Sequence, residues 1–299
     1  MKILLAIDGS MYSERVVAML GAFQLPSQTD VTVVNVVPEH KFLGGITLQR
    51  FRCRTTKDSA HKAQEEAALN LLKGTLDSLT AVGMNVSTRI VWGGPAEQIL
   101  KLAHDNKADL IMLGAKGLSN SSRFPLGGVA NQVMKYADTN VLLVRENIKR
   151  LRRVLLATDG SEHSEETVRL LLRLPLPRQS RVVLVTSLES HVAALVKMPS
   201  LDIETNQRII KELQSAEENE ARSLIEKTRE QFTQKGYQTE SMILQGQPAD
   251  EIIMASKTIN PDLIALGAKG LNSIDTFLMG SVAHRVARFS AYSVLIGRQ

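Results

Sequence analysis

The stretch that decides the fold runs from Pro261 to Val282 and reads PDLIALGAKGLNSIDTFLMGSV. It opens on the apolar run Leu263, Ile264, Ala265 and Leu266, the pattern of a strand buried on both faces. Gly267 stops the run and Gly270 follows. A polar stretch leads to Gly280-Ser281, after which Val282, Val286 and Phe289 recur at the spacing of one helix face. The order is strand, glycine loop, small-residue turn, helix N-terminus. Glycines let the backbone approach a ligand with no Cβ in the way. A helix N-terminus offers unpaired N–H groups and the positive end of a dipole, which suits phosphate. Ser281 is placed either to cap the helix or to donate its hydroxyl to a phosphate oxygen.

The same design occurs earlier in the chain. Residues 108–118 read ADLIMLGAKGL and residues 261–271 read PDLIALGAKGL; the earlier copy continues to Gly127-Gly128 and a helix with Val129 and Val133. Two further strands, KILLAI at 2–7 and RVLLAT at 153–158, each end in Asp-Gly-Ser, at Asp8 and Asp159. The offset is 151 residues for the aspartates and 153 for the glycine loops. A near-constant offset across a whole half means tandem domains, read here as 1–146 and 151–299 around a short charged linker.

The intervening segments repeat as well. Residues 31–37 and 181–187 are β-branched strands. Residues 57–82 and 205–235 are long helices, the second carrying the stripe Ile209, Leu213, Ala216, Glu220, Leu224, Thr228 and Phe232. Strands at 85–91 and 239–244 lead into Gly93-Gly94-Pro95 and Gly246-Gln247-Pro248, whose prolines suit a first helical turn. Final strands lie at 140–144 and 293–296. Each half reads β-α-β-α-β-α-β-α-β, which predicts an α/β fold: a five-stranded parallel sheet with helices on both faces. Ligands in such folds bind beyond the strand carboxyl ends, at the topological switch point. Adjacent first and fourth strands bring Asp8 to the Gly114 loop and Asp159 to the Gly267 loop.

The 299 residues are 43% hydrophobic with one cysteine, Cys53, which excludes an intrachain disulfide framework and a Cys-based zinc site. The N-terminal apolar run is too short for a signal peptide. No apolar stretch approaches the roughly 20 residues of a membrane span. A cytoplasmic protein is expected. The net charge of +5 is spread loosely, as at Arg50, Arg52 and Arg54, so no specific nucleic-acid contact is expected. The loop is neither a Walker A motif nor a dinucleotide fingerprint. No nucleophile elbow or zinc-protease motif is present. Asp8 and Asp159 also suit simple helix capping, and Lys116 and Lys269 suit a solvated surface.

Gly267-Ala268-Lys269-Gly270, nine residues, then Gly280-Ser281 resembles the nucleotide motif of the universal stress protein family. The opening strand with Asp-Gly-Ser and the Gly-x-Pro turn are also similar to that family, and the resemblance covers both halves. It implies tandem Rossmann-like domains of the adenine nucleotide alpha hydrolase type and bound ATP, with or without magnesium. Carried over, Asp159 lies near the ribose and the metal, and the backbone at Ser187 meets the adenine. Gly267, Lys269, Gly270, Gly280, Ser281 and Val282 hold the phosphates. The first-half matches are Asp8, Val36, Gly114, Lys116, Gly117 and Gly127. Gly128 departs from the family's Ser/Thr. Pro125 has no N–H where Leu278 has one. Tighter binding is therefore expected in the second half. The functions implied are a nucleotide-binding regulator in a stress response, a slow ATP-hydrolysing enzyme, or an interaction module with a vestigial pocket. The apolar final strands predict that the halves pair as a pseudo-twofold unit, and the resemblance adds a homodimer.

Overall fold

A computed structural model describes residues 1–38, 54–80, 83–118, 125–188, 203–271 and 279–298, with backbone alone at 54–60 and 203–206. The chain divides into two compact units at Asn147 and Ile148. The first runs β1 (Lys2–Ile7), α1 (Met11–Ala22), β2 (Asp30–Val37), α2 (Arg54–Thr80), β3 (Asn85–Trp92), α3 (Pro95–Asp105), β4 (Leu110–Gly114), α4 (Gly128–Tyr136) and β5 (Asn140–Val144). The second runs β6 (Arg153–Ala157), α5 (Glu162–Arg173), β7 (Arg181–Leu188), α6 (Ile203–Gln234), β8 (Gln238–Gln245), α7 (Pro248–Ile259), β9 (Leu263–Gly267), α8 (Ser281–Phe289) and β10 (Ser293–Gly297).

Every strand pair within a unit is parallel. The order is β3-β2-β1-β4-β5 in the first and β8-β7-β6-β9-β10 in the second. The chain therefore builds outward from its first strand, then returns to build on the other side. Right-handed crossovers put the first two helices of each unit over one face and the last two over the other. The reversal falls between β1 and β4, and between β6 and β9. The central strands are apolar throughout because both faces are covered: Ile3 to Ile7, Leu110 to Leu113, Val154 to Ala157 and Leu263 to Leu266 are all buried. The edge strands β3 and β8 hold no buried residue and are half-buried to exposed along their length.

One sequence expectation changes. The long stripe on α6 is buried only from Ala221 onward, through Ile225, Thr228 and Phe232. Ile209, Leu213 and Glu220 are exposed. The cause is length. The 32 residues of α6 span about 48 Å, whereas an eight-residue strand such as β8 spans about 27 Å. The first turns of α6 outrun the sheet they would pack on.

Candidate functional site

Each unit's first strand ends at a tight turn whose glycine must take positive φ, +80° at Gly9 and +75° at Gly160. An L side chain is strained there. The turn aims the preceding aspartate back across the switch point. Asp8 Oδ1 accepts from the Ser10 N–H at 3.0 Å and the Ser13 hydroxyl at 2.9 Å, and its Oδ2 accepts from the Leu118 N–H at 3.0 Å. Asp159 does the same with different partners. Its Oδ1 accepts from Ser161 N–H at 3.0 Å and Ser161 Oγ at 2.5 Å, and its Oδ2 accepts from Leu271 N–H at 3.3 Å. Each aspartate is therefore a clasp between the loop after the first strand and the glycine loop after the fourth, residues more than a hundred positions apart. The capping alternative is not how α5 begins: its cap is Ser161, whose side chain accepts from the Ser164 N–H.

The glycines are explained by this clasp. A Cβ on Gly270 would stand 2.6 Å from Asp159 Oδ2, and one on Gly117 would collide with Asp8 Oδ2. A Cβ on Gly267 would meet the backbone of α5 at 2.7 Å from Ser164 N. One on Gly114 would meet Tyr12 Cβ at 2.5 Å. Gly127 and Gly280 fold the loop back, each donating its N–H at 2.8 Å to the carbonyl of Ala115 or Ala268. They then serve as the N-terminal caps of α4 and α8, with no side chain satisfying the free N–H groups. Ser281 is thus the first helical residue and not the cap, and it is exposed. Space is open around Gly128, with no atom within 4 Å of a built Cβ. Leu278, set against Pro125 in the sequence comparison, lies outside the described residues, as do Cys53, Arg50 and Arg52.

In the first unit these groups border a cavity of about 650 Å³, inside the roughly 300–1,000 Å³ usual for small-molecule sites. Its floor is Asp8, Gly114, Lys116, Gly117, Gly127 and Gly128. The end of β2, with Asn35, Val36 and Val37, forms one side, and α2 forms another with Gln64, Ala67, Ala68 and Leu71. Sequence reasoning placed Val36 here and missed the α2 wall. In the second unit Ser187 lies one residue before the end of β7, its hydroxyl donating to the Gly246 carbonyl at 3.0 Å. Val282 is half-buried on the first turn of α8. Lys116 and Lys269 are half-buried rather than solvated.

A cationic flank lies beside each glycine loop. Arg145 follows β5, donates to the Pro125 carbonyl at 2.9 Å, and burial lowers its pKa. Arg298 holds the corresponding place after β10. His163, the counterpart of Tyr12, is half-buried with Nδ1 enclosed and unbonded. Its pKa is lowered, first by burial and then by Lys269 and Arg298. His163 thus sits half-buried beside fixed positive charge. Among the described residues no group of three His, Cys, Asp or Glu is placed to hold a metal ion, and no helix is long and apolar enough to cross a membrane.

The universal stress protein family matches this chain twice, over residues 1–145 and 150–298, and the chain belongs to that family as a tandem member. A universal stress protein of Bacillus subtilis, YxiE, is 29% identical over 150 residues, covering 49% of this chain and 98% of its own length. The crystal structure of a universal stress protein from Archaeoglobus fulgidus covers 100% of this chain and 96% of its own, with a TM-score of 0.63 at 19% identity; the likeness is one of fold. A universal stress protein solved in complex with cAMP covers 50% of this chain at 20% identity with a TM-score of 0.34.

Proposed function

We propose that this chain is a cytoplasmic stress-response protein that binds ATP in its glycine-loop pocket as a regulatory ligand. The observation that carries the reading is the cavity of about 650 Å³ at the switch point of the first unit, where an aspartate clasp, a glycine cradle and a bare helix N-terminus meet. The N-terminus of α4 supplies N–H donors and a positive dipole end for phosphate. Lys116 adds charge, and the apolar end of β2 offers a surface for the base. Gly267, Lys269, Gly270, Gly280 and Ser281 repeat the cradle in the second unit, beside Asp159. Magnesium keeps several waters and takes one or two carboxylates together with phosphates. One aspartate at each loop fits such an ion, which would neutralise phosphate charge when bound.

The same geometry argues against rapid hydrolysis. Asp8 and Asp159 are each engaged by three donors, so neither is poised to accept a proton from water. Mass spectrometry of ligand released from the purified chain tests the binding. An adenine nucleotide is the expected species, and a protein that neither carries nor takes up one refutes the reading. Phosphate release at an ordinary enzymatic rate, roughly 1–10³ s⁻¹, would instead make the chain an ATPase.

A further inference from the structure

We propose that the helical wall of each pocket, and not its glycine loop, sets which unit is the tight nucleotide site, and that this site is in the first unit. The inference rests on the reading above, that the pockets hold a nucleotide.

The helices α2 and α6 occupy the same register. Leu71 packs on Gly9 as Leu224 packs on Gly160. Thr75 donates to the Leu71 carbonyl as Thr228 donates to that of Leu224. Ala68, Leu72 and Leu79 are buried, as are Ala221, Ile225 and Phe232. All these pairs are 153 residues apart, except the two glycines at 151. In that register the pocket residues Gln64 and Ala67 correspond to Glu217 and Glu220. The first unit thus presents a neutral wall, and the matching stretch of α6 in the second unit is acidic.

The other charged groups cancel in the comparison. Asp8 is matched by Asp159, Lys116 by Lys269 and Arg145 by Arg298. Tyr12 is matched by His163, whose pKa is lowered, first by burial. The remaining lining differences between described residues, such as Asn35 against Thr186 and Val36 against Ser187, are uncharged; Glu189, the counterpart of the lining residue Pro38, lies outside the described residues. Among the described residues, what is left is two carboxylates. A cavity of about 650 Å³ is roughly 9–11 Å across, comparable to the screening length of about 8 Å at physiological salt. A triphosphate anywhere inside it feels the wall. The serine that favours the second unit offers less. Space around Gly128 is open, so water can take the place of the Ser281 hydroxyl there.

Two variants isolate the sites in the full chain. Gly128→Glu and Ser281→Glu place a carboxylate at a first helical position, where it suits the dipole but repels phosphate. Calorimetric titration of ATP into Ser281→Glu then reads the first unit, and into Gly128→Glu the second. The expected affinity is about tenfold higher in the first unit, ~1.4 kcal/mol, and the gap narrows as salt is raised. Adding Glu217→Gln with Glu220→Ala tightens the second site about tenfold. Adding Gln64→Glu with Ala67→Glu weakens the first by a similar factor. Adenosine, which has no phosphate, is insensitive to either exchange. A second unit that binds as tightly as the first, or wall exchanges that leave ATP affinity unchanged, would overturn the inference while leaving the binding function intact. Absence of ATP binding in the native chain and every variant would overturn both.

Discussion

Gly270→Ala tests whether the aspartate clasp holds the glycine loop in place. Gly270 has no positive φ, so alanine meets no backbone strain there, and any cost comes from contact alone. The new methyl would lie 2.6 Å from Asp159 Oδ2 and 3.8 Å from its Cγ, with the oxygen about an ångström inside ordinary contact. The carboxylate cannot simply swing away, because Oδ1 is held by both the N–H and the hydroxyl of Ser161. The weakest of the three bonds, Leu271 N–H to Oδ2 at 3.3 Å, is the one that gives. A hydrogen bond to a charged group contributes about 1.5–3 kcal/mol. Leu271 is exposed, and water can replace part of that, so the expected loss is about 1–2 kcal/mol. For a unit of this size the melting temperature falls by about 2–4 °C per kcal/mol. Scanning calorimetry of Gly270→Ala, Asp159→Ala and the double variant forms a cycle. With the carboxylate gone the methyl has nothing to strike, so the two changes should couple by about 1 kcal/mol or more. Additivity within about 0.5 kcal/mol would refute the clasp. Gly74→Ala, in an exposed and empty part of α2, is the control and should stabilise by about 0.5–1 kcal/mol.

Gly297→Ala should be among the most damaging single methyl additions, since its Cβ would collide with the Thr167 hydroxyl and stand 2.8 Å from Thr167 Cβ. Overpacking of this kind costs about 1–3 kcal/mol, and a denaturation midpoint unchanged from the parent would contradict it. His163 has a lowered folded pKa, so its neutral form contributes stability that is present above about pH 6.5 and lost as pH falls through the folded value. His163→Gln should flatten stability against pH in that acid window, measured by chemical denaturation at a series of pH values. His104 shows the opposite sign: its hydrogen bond to Asp138 at 2.8 Å, and then that carboxylate's charge, raise its pKa. The contribution is full below about 6.5 and fades as pH rises through the folded value. Asp138→Asn should lower the His104 titration midpoint seen by NMR.

The strands themselves were legible because buried parallel strands read as unbroken apolar runs, and Leu263 to Leu266 is one. The Asp-Gly-Ser and Gly-x-Pro turns were legible because their backbone geometry needs those residue types. The clasp was not, since Asp8 and Leu118 meet only through the pairing of β1 with β4. The wall was hidden for another reason. Periodicity shows which side of α6 is apolar, but not where the sheet beneath it ends. Glu220 fell within the apparent stripe and is exposed. A carboxylate at a pocket rim has no sequence signature of its own. Only the register shared with α2 gives Glu217 and Glu220 a meaning.

The central claim, that the glycine loops and their helix N-termini bind nucleotide, is tested most directly by titrating ATP calorimetrically into the native chain and into the double variant Gly128→Glu, Ser281→Glu. Neither position is enclosed: Gly128 has open space around it and Ser281 is exposed. A carboxylate in the first helical turn contributes about 0.3–1 kcal/mol of stability, so the double variant should fold at least as stably as the parent. The native chain should bind ATP saturably and the folded double variant should bind none. Equal binding by both would contradict it.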